Sequence, residues 1–284
     1  MARSYLFVPG NQPARFDKAA ASGADAIILD LEDSVPVSEK AAAREAVIAW
    51  MSATSSPVPV WIRTQGLDAP GFADDLATVG RARPRGLLLP KCEGAADVLR
   101  LGVVLDTLEH EHGLPEGSLE ILVVATETPR AVQCMASFER PLPRLRGLMW
   151  GAEDLAAALG VRSLRDKSGQ YLPPALRARD ATLLAAAACG ADPIDAVFVG
   201  IRDAAGLAAE TRQHAAMGFI AKAAIHPAQI PVIHAALAPN ANDVDWARAV
   251  ITTLEDGARS TGVVDGSMVD TPHLIAARRI LERM

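Results

Sequence analysis

The sequence predicts an α/β fold, a (β/α)8 barrel followed by a C-terminal helical extension. Short apolar runs alternate with longer, alanine-rich segments of helical periodicity, and this alternation repeats eight times. Strand–helix repetition on this scale calls for a parallel sheet, and eight units are the number found in a (β/α)8 barrel. A doubly wound open sheet is the competing architecture. It gains no support, because no Gly-x-Gly-x-x-Gly motif follows the first run.

Eight apolar runs are the predicted strands: Tyr5–Pro9, Ala26–Asp30, Val60–Thr64, Gly86–Pro90, Ile121–Thr126, Leu145–Gly151, Ala196–Val199 and Ala221–Ile225. The predicted helices between them include Pro13–Ser22, Ser38–Met51, Gly94–Glu111, Arg177–Cys189, Ala204–Met217 and Pro227–Leu237. The fifth run is mostly β-branched, which is typical of a strand buried on both faces. Pro129 follows it and suits the first turn of a helix.

The alternation stops after Leu237. The segment Pro239-Asn240-Ala241-Asn242 breaks the chain, and helices are predicted at Val244–Gly257 and His273–Met284. We therefore expect a barrel over residues 1–238 and an extension over residues 239–284, which is too short to bury much core of its own.

Composition excludes several classes of protein. Half of the residues are hydrophobic and 22% are charged, which favours a large core over disorder. The net charge is −6 with scattered Lys and Arg, so no basic stripe for nucleic acid is present. We also expect no membrane span and no signal peptide, because no apolar run is long enough. Cys92, Cys134 and Cys189 lack metal-type spacing and suggest buried thiols in a reducing compartment. A cytoplasmic protein is expected.

Polar residues follow the predicted strands where each one ends. The carboxyl ends of barrel strands open onto one face, where catalytic residues gather. Clustered carboxylates repel one another unless some are protonated or a cation lies among them, and an oxygen-rich site suits Mg²⁺. The residues that meet on this face are predicted to be Asp30, Glu32, Asp33, Arg63, Lys91, Glu127 and Asp154.

Glu127 and Asp154 form the natural metal-binding pair, since each follows a strand and the two strands should be neighbours. The alternative for Glu127 is a solvated residue favoured by the helix dipole, and for Asp154 an N-cap. The alternative for Asp30, Glu32 and Asp33 is a solvated loop. Otherwise two of the three would orient the metal's water molecules or Arg63.

Arg63 follows a buried apolar strand, and its planar guanidinium suits a substrate carboxylate or a developing enolate oxygen. The alternative is an arginine paired only with Asp30 or Asp33. Arg15 and Lys18 share one helix face after the Pro9-Gly10-Asn11 turn and could receive phosphates, although solvated cations are the simpler interpretation. His226 is assigned no catalytic role.

The segment RSYLFVPGNQPARFDKAAASGADAIILDLEDSV closely resembles the opening of the citrate lyase β-subunit and malyl-CoA lyase family, CoA-thioester lyases of the HpcH/HpaI aldolase superfamily. The similarity continues, in the family's order, through LLLPKCEGA, ATETP, GLMWGAEDLAAALG, AAIHPAQI and GSMVDTP. The resemblance implies a TIM barrel that depends on Mg²⁺, with Mn²⁺ as a substitute, and cleavage or condensation of a carbon–carbon bond at an acyl-CoA. It also implies a homo-oligomer, commonly a trimer or hexamer, whose C-terminal segment covers a neighbour's active site.

Residue roles follow from the resemblance by position. It implies that Glu127 and Asp154 are the metal ligands, with Glu127 also against the substrate. Arg63 matches the substrate-binding arginine, and Asp270 matches the acidic residue that reaches into the adjacent subunit's site. The region that contacts CoA includes Phe7, Pro9, Arg15 and Lys18. The residues expected to contact and orient the metal and substrate ligands are Asp30, Glu32, Asp33 and Lys91. Gln65 and Trp61 depart from the family pattern, which leaves the acid substrate open.

These expectations define a reaction. A 3-hydroxyacyl-CoA such as citramalyl-, malyl- or citryl-CoA would be cleaved to acetyl-CoA and a 2-oxo acid, with Asp270 exchanging a proton with the acetyl carbon. One alternative is hydrolysis of a malyl-type thioester. Another is a β-subunit that acts on a carrier-protein thioester within a lyase complex. The barrel chemistry is shared, so the sequence leaves all three open.

Overall fold

The structure, a computed structural model, describes residues 2–255 and 260–283. Eight parallel strands form a closed barrel in chain order, because the first strand pairs with both the second and the eighth. The predicted fold class is confirmed. The strands are β1 Ser4–Pro9, β2 Ala26–Asp30, β3 Val60–Arg63, β4 Gly86–Leu89, β5 Glu120–Val124, β6 Leu145–Met149, β7 Asp192–Asp195 and β8 Ala221–Ala224.

Helices follow the strands. They are α1 Phe16–Ala20, α2 Lys40–Ala53, α3 Phe72–Ala82, α4 Ala95–His112, α5 Pro129–Cys134, α6 Glu153–Ala158, α7 Pro173–Cys189, α8 Ala204–Met217 and α9 Ile230–Leu237. Short 3-10 turns lie at Pro13–Arg15, Val37–Glu39, Met135–Ser137 and Pro227–Gln229. In the described parts of the chain, no helix is both long and apolar enough to cross a membrane.

The barrel interior is filled by alternate side chains of the strands, including Tyr5, Ile28, Trp61 and Met149. Trp61 is accommodated by the missing side chain of Gly86, where a Cβ would lie 2.7 Å from the indole ring and 2.0 Å from the Glu120 carbonyl oxygen. The large ring thus packs into the barrel's apolar interior, so this departure from the family pattern is explained by packing.

The strand register places the polar residues at one end of the barrel. Asp30 is the register partner of Pro9 on one side and of Arg63 on the other. The last residues of β1, β2 and β3 are therefore neighbours at the carboxyl end of the sheet, as the sequence predicts for a parallel barrel.

The seventh strand corrects the sequence prediction. It spans Asp192–Asp195, whereas the apolar run Ala196–Val199 that we predicted follows it and contains the exposed Val199. The strand carries two aspartates and a proline, so it lacks the expected apolar pattern. Its last residue, Asp195, is buried because remote polar groups satisfy its carboxylate.

The chain forms two compact units, Met1–Ile233 and His234–Met284. In the second, α10 Ala241–Glu255 and α11 Thr271–Leu281 accompany a hairpin of β9 Thr261–Val264 and β10 Ser267–Asp270. The hairpin turn is Asp265-Gly266, both at positive φ, as a two-residue primed turn requires. Both helices confirm predicted ones, although Gly257 and Met284 lie outside the described residues. The division at residue 238, with a lid over a neighbouring subunit, stays a prediction.

Candidate active site

Glu127 lies between β5 and α5, and the local sequence explains its place. The Thr128 hydroxyl caps α5 by accepting a hydrogen bond from the Ala131 backbone nitrogen at 3.0 Å, and Pro129 is the first residue of the helix. The chain therefore turns sharply at the top of the barrel. Glu127 is only 3% exposed, so the alternative of a solvated residue at the start of the helix is wrong.

Lys91 contributes both its backbone and its side chain. Its φ is +51°, an uncommon conformation for a residue other than glycine. This conformation lets the Lys91 backbone nitrogen donate to Glu127 Oε2 at 2.5 Å. The ammonium group contacts the Glu32 carboxylate and lies 3.4 Å from Asp33 Oδ2 and 3.5 Å from Asp154 Oδ1.

Asp154 occupies the second position of α6, just after β6. The N-cap of that helix is Ala152, so the alternative in which Asp154 is the cap is wrong. Its side chain is 34% exposed. Gly151 precedes it, and a Cβ there would lie 2.9 Å from Glu127 Cγ. The missing side chain at Gly151 therefore gives Glu127 its space, a role that sequence reasoning missed, although Gly151 stands in the GLMWGAED motif.

Arg63 is held by two carboxylates. Its Nε lies 2.6 Å from Asp30 Oδ1, its NH2 lies 2.7 Å from Asp30 Oδ2, and its NH1 lies 2.9 Å from Glu32 Oε2. The guanidinium carbon also lies 5.1 Å from the centroid of the Phe7 ring. Asp30 and Glu32 are buried, so they orient Arg63 rather than form a solvated loop. Asp33, by contrast, is exposed and contacts Lys91.

The electrostatics of the site reflect its burial. Burial raises the pKa of Glu127 to about 8, and the charge of Asp154 adds to this increase, while the Lys91 N–H opposes it. Burial also raises the pKa of Glu32. Burial opposes ionisation of Asp30 as well, but the hydrogen bonds from Arg63 hold the pKa of its carboxyl below the usual range. Glu127 therefore lies in a place that favours an added positive charge.

One cavity of about 90 Å³ lies among the residues described above. Phe7, Arg63, Glu127 and Asp154 border it together with apolar side chains, including Val124 and Met149. A separate cleft of about 640 Å³ runs along Glu32, Asp33 and Lys91 and includes Gln65. The Gln65 amide nitrogen lies 3.3 Å from Asp75 Oδ2, and Gln65 does not border the smaller cavity.

Pro9, Arg15, Lys18 and His226 do not border this cavity. Pro9 ends β1, and Arg15 and Lys18 are exposed in the turn and helix that follow. His226 accepts a hydrogen bond from the Ala228 backbone nitrogen at 3.1 Å and so begins a helical turn. Asp270 belongs to the second unit, where it is the N-cap of α11 and its Oδ1 lies 2.6 Å from His273 Nδ1.

The fold and the site together define a (β/α)8-barrel protein with a carboxylate pair and an oriented arginine around one cavity at the barrel's carboxyl end. The chain belongs to the HpcH/HpaI aldolase/citrate lyase family, whose model matches residues 3–227. A second model, described as a carbon–carbon bond lyase of the TIM-barrel fold, matches residues 179–284. The family resemblance drawn from the motifs is confirmed.

Three relatives illustrate the similarity. A citrate lyase subunit beta-like protein of Mycobacterium tuberculosis is 37% identical over 98% of this chain and 94% of its own length. A (3S)-malyl-CoA thioesterase of Cereibacter sphaeroides is 32% identical over 99% of this chain and 94% of its own. The crystal structure of CitE from Mycobacterium tuberculosis, in complex with magnesium, acetoacetate and coenzyme A, superposes with a TM-score of 0.81 at 37% identity, covering 99% of this chain and 97% of that one.

Proposed function

We propose that this chain is a magnesium-dependent lyase that cleaves the carbon–carbon bond of a 3-hydroxyacyl-CoA, or forms it in the reverse direction. The observation that supports this proposal is the convergence of Arg63, Glu127 and Asp154 on one cavity. The magnesium, acetoacetate and coenzyme A bound by the Mycobacterium tuberculosis relative agree with the same chemistry.

The residues present fit a magnesium ion. Glu127 and Asp154 offer carboxylate oxygens, the ligands that Mg²⁺ prefers. Glu127 is buried beside Asp154 with its pKa raised to about 8, so a cation between the two would relieve their repulsion. Mn²⁺ accepts the same oxygen ligands and would substitute. When bound, the ion would act as a Lewis acid toward the carboxylate and hydroxyl oxygens of the substrate.

Arg63 would bind the substrate oxygens on which negative charge develops, where an oriented donor contributes most. Asp30 and Glu32 would keep its guanidinium in place. The substrate hydroxyl would release its proton to solvent water as the carbon–carbon bond breaks and the 2-oxo group forms. The electron pair of that bond would pass to the acetyl carbon, which then takes up a proton. We propose Asp270 of a neighbouring subunit as the donor of that second proton, in a homo-oligomer such as a trimer.

The CoA portion would lie near Phe7, Pro9, Arg15 and Lys18. Phe7 borders the cavity, and Arg15 and Lys18 are exposed after β1. β1 ends on the same face of the barrel as Arg63. Two exposed cations close to that face suit the phosphates of CoA.

Hydrolysis of a malyl-type thioester is the second candidate, favoured by the similarity to the Cereibacter sphaeroides thioesterase. The two reactions leave different products. A lyase releases a 2-oxo acid and acetyl-CoA without free thiol, whereas a thioesterase releases free CoA and a hydroxy acid.

The test is an assay of the purified full chain against citramalyl-, malyl- and citryl-CoA, with Mg²⁺ or with chelator. The 2-oxo acid and the free thiol are measured separately in the same samples. We expect 2-oxo acid from at least one thioester, only with Mg²⁺. Free thiol without 2-oxo acid would establish the thioesterase instead, and no product from any thioester would overturn both.

A further inference from the structure

Trp150 directly follows β6, at the point where the chain turns toward Asp154, and it is only 1% exposed. Its indole ring packs among the apolar side chains beneath α6 and α7, including Leu155 and Phe219. The Tyr171 ring lies edge-on at 5.0 Å between centroids. The one polar atom of the side chain, Nε1, donates a hydrogen bond to Asp195 Oδ1 at 2.7 Å.

Asp195 is itself held from several directions. Its Oδ1 also accepts from the Ala196 backbone nitrogen at 2.9 Å, and its Oδ2 lies 2.5 Å from Lys222 Nζ and 2.9 Å from His214 Nδ1. Burial opposes ionisation, but the charge of Lys222 holds the pKa of Asp195 well below its usual range. Asp195 is therefore an anion, and each of its carboxylate oxygens has two hydrogen-bonding partners.

The surroundings of Asp195 also resemble a metal site, because ligand atoms of Asp195, Glu210 and His214 lie within 4.8 Å of one another. The protein's own cations occupy this arrangement. Lys222 Nζ contacts Glu210 Oε1 at 3.2 Å as well as Asp195. Arg179 NH1 lies 3.2 Å from His214 Nε2 and can only donate. The cluster is thus an internal ionic network that anchors one end of the Trp150 hydrogen bond.

Trp150, the donor of that hydrogen bond, is close in the chain to residues of the candidate active site. Trp150 is followed by Gly151, which leaves room for Glu127 and whose nitrogen donates to Thr126 Oγ1 at 3.2 Å. The chain then enters α6, whose second residue is Asp154. Only Gly151, Ala152 and Glu153 separate Trp150 from Asp154 in the chain, so a shift of the indole would be transmitted to the start of α6.

We infer that Asp195 is a positioning residue, which places the Asp154 carboxylate beside Glu127 by holding the Trp150 indole. This inference rests on the proposed function, because it concerns the metal pair. Removing the partner of a ligand-bearing group typically costs 10–100-fold in metal affinity.

The experiment measures the dissociation constant of Mn²⁺ by electron paramagnetic resonance, together with the melting temperature of the metal-free protein. Trp150→Phe removes the N–H and keeps an aromatic ring. Tyr171→Phe is the matched control, because it keeps its ring against Trp150 and loses only the hydroxyl that accepts from Arg165, leaving the bond between Trp150 and Asp195 intact. We expect Trp150→Phe to weaken Mn²⁺ binding by about 10-fold or more, and Tyr171→Phe to bind as the wild type does even if it melts earlier.

A double-mutant cycle shows whether Trp150 acts through Asp154. In an Asp154→Asn background, Trp150→Phe should cause little further loss of Mn²⁺ affinity, because coupled residues are not additive. If Trp150→Phe does not fold, replacing Trp150 with 3-benzothienylalanine removes only the N–H and keeps the two-ring shape.

The outcomes separate this inference from the proposed function. Unchanged Mn²⁺ affinity in the N–H-deficient variants, additive losses, or an equal loss in Tyr171→Phe would overturn the positioning role and leave the lyase proposal intact. A wild-type chain that binds no Mn²⁺ and forms no 2-oxo acid would overturn both.

Discussion

The Arg63 guanidinium and the Asp30 carboxylate form a two-point ion pair, with Nε 2.6 Å from Oδ1 and NH2 2.7 Å from Oδ2. The two residues are register partners on adjacent parallel strands, so the pair is part of the barrel as well as of the site. From the sequence, a pairing with Asp30 alone and a role at the substrate are alternative expectations for Arg63. Arg63 makes that pair and also borders the cavity, so the two are compatible.

The first prediction concerns Arg63→Lys, which keeps the charge and loses the planar, two-point geometry. We expect kcat for thioester cleavage to fall by roughly 10²-fold, the scale of losing one oriented donor. We also expect a loss of about 1–3 kcal/mol in the free energy of unfolding, because a buried Asp30 oxygen loses its donor. Steady-state kinetics and urea unfolding measure the two effects.

Arg44→Lys is the matched control, since Arg44 Nε lies 2.7 Å from the buried Asp75 in a comparable pair between α2 and α3. It should lose similar stability and keep its kcat. Turnover by folded Arg63→Lys within about threefold of the wild type, a factor well short of one lost donor, would contradict a role at the substrate.

The second prediction concerns Gly151→Ala. The new Cβ would lie 2.9 Å from Glu127 Cγ, inside the usual contact distance of carbon atoms, so the carboxylate must move. We expect Mn²⁺ affinity to fall by about 10-fold or more. Gly102→Ala in α4 is the control, because its new methyl group has no neighbour within 4 Å apart from adjacent residues and the backbone of its own helix. It should gain about 0.5–1 kcal/mol of stability and bind Mn²⁺ unchanged. Equal affinities in the two variants would refute the steric account.

The third prediction is a pH dependence of stability at Glu109, whose partners Leu119 and Arg144 precede β5 and β6, whereas Glu127 and Asp154 follow those strands. Its carboxylate accepts from Arg144 at 2.6 Å and 2.7 Å and from the Leu119 backbone nitrogen at 2.7 Å. Burial opposes ionisation, but the Arg144 hydrogen bonds lower the pKa of Glu109 from 4.5 to about 2. Folding therefore favours the ionised form. The resulting stability is complete above about pH 4.5 and is lost as the pH falls toward 2.

Glu109→Gln should therefore unfold about 1–3 kcal/mol more easily than the wild type at pH 7, and this gap should shrink at pH 3. Urea unfolding at the two pH values measures it. Glu111→Gln, an exposed position on the same helix, should stay within about 0.5 kcal/mol of the wild type at both. A Glu109→Gln gap that does not change with pH would contradict the ionic role.

The fourth prediction is that Asp270 serves the site of a neighbouring subunit. The inactive variants Asp270→Ala and Glu127→Ala should restore activity when they are refolded together, because some sites in mixed oligomers combine an intact barrel with an intact Asp270. Differently tagged subunits establish that mixing took place. A mixture that remains inactive despite proven exchange would mean that Asp270 acts within its own chain or has no catalytic role.

Much of the fold could be predicted because most barrel strands and helices have recognisable local patterns of apolar residues and helix-start residues. The apolar run Ile121–Thr126 predicts a buried strand. Pro129 predicts the start of a helix, and α5 does begin there with Thr128 as its N-cap. The seventh strand was not predicted, because the sequence of Asp192–Asp195 is polar and its stabilising partners are distant in the chain. The ion pairs of Asp195 with Lys222 and His214 span 27 and 19 residues, and no local pattern records them.

Some features of the candidate site also follow from local sequence, whereas others depend on the folded chain. The positions of Glu127, Asp154 and Arg63 follow from strand ends, since all strands of the barrel open on one face. The contribution of the Lys91 backbone depends on a positive φ, which the sequence does not reveal because Lys91 is not a glycine. The space that Gly151 leaves for Glu127 depends on contact between neighbouring strands, which only the folded chain defines.

The most direct test of the account is the Mg²⁺ dependence of 2-oxo acid formation by the wild type, Asp154→Asn and Glu153→Gln. Glu153 is the acidic neighbour of Asp154 in the first turn of α6, so the pair of variants separates a ligand from a nearby charge. We predict no product in chelator, full recovery of the wild type and Glu153→Gln with Mg²⁺, and a requirement for roughly 10–100-fold more Mg²⁺ by Asp154→Asn. Full turnover in chelator, or wild-type Mg²⁺ dependence of Asp154→Asn, would contradict the account.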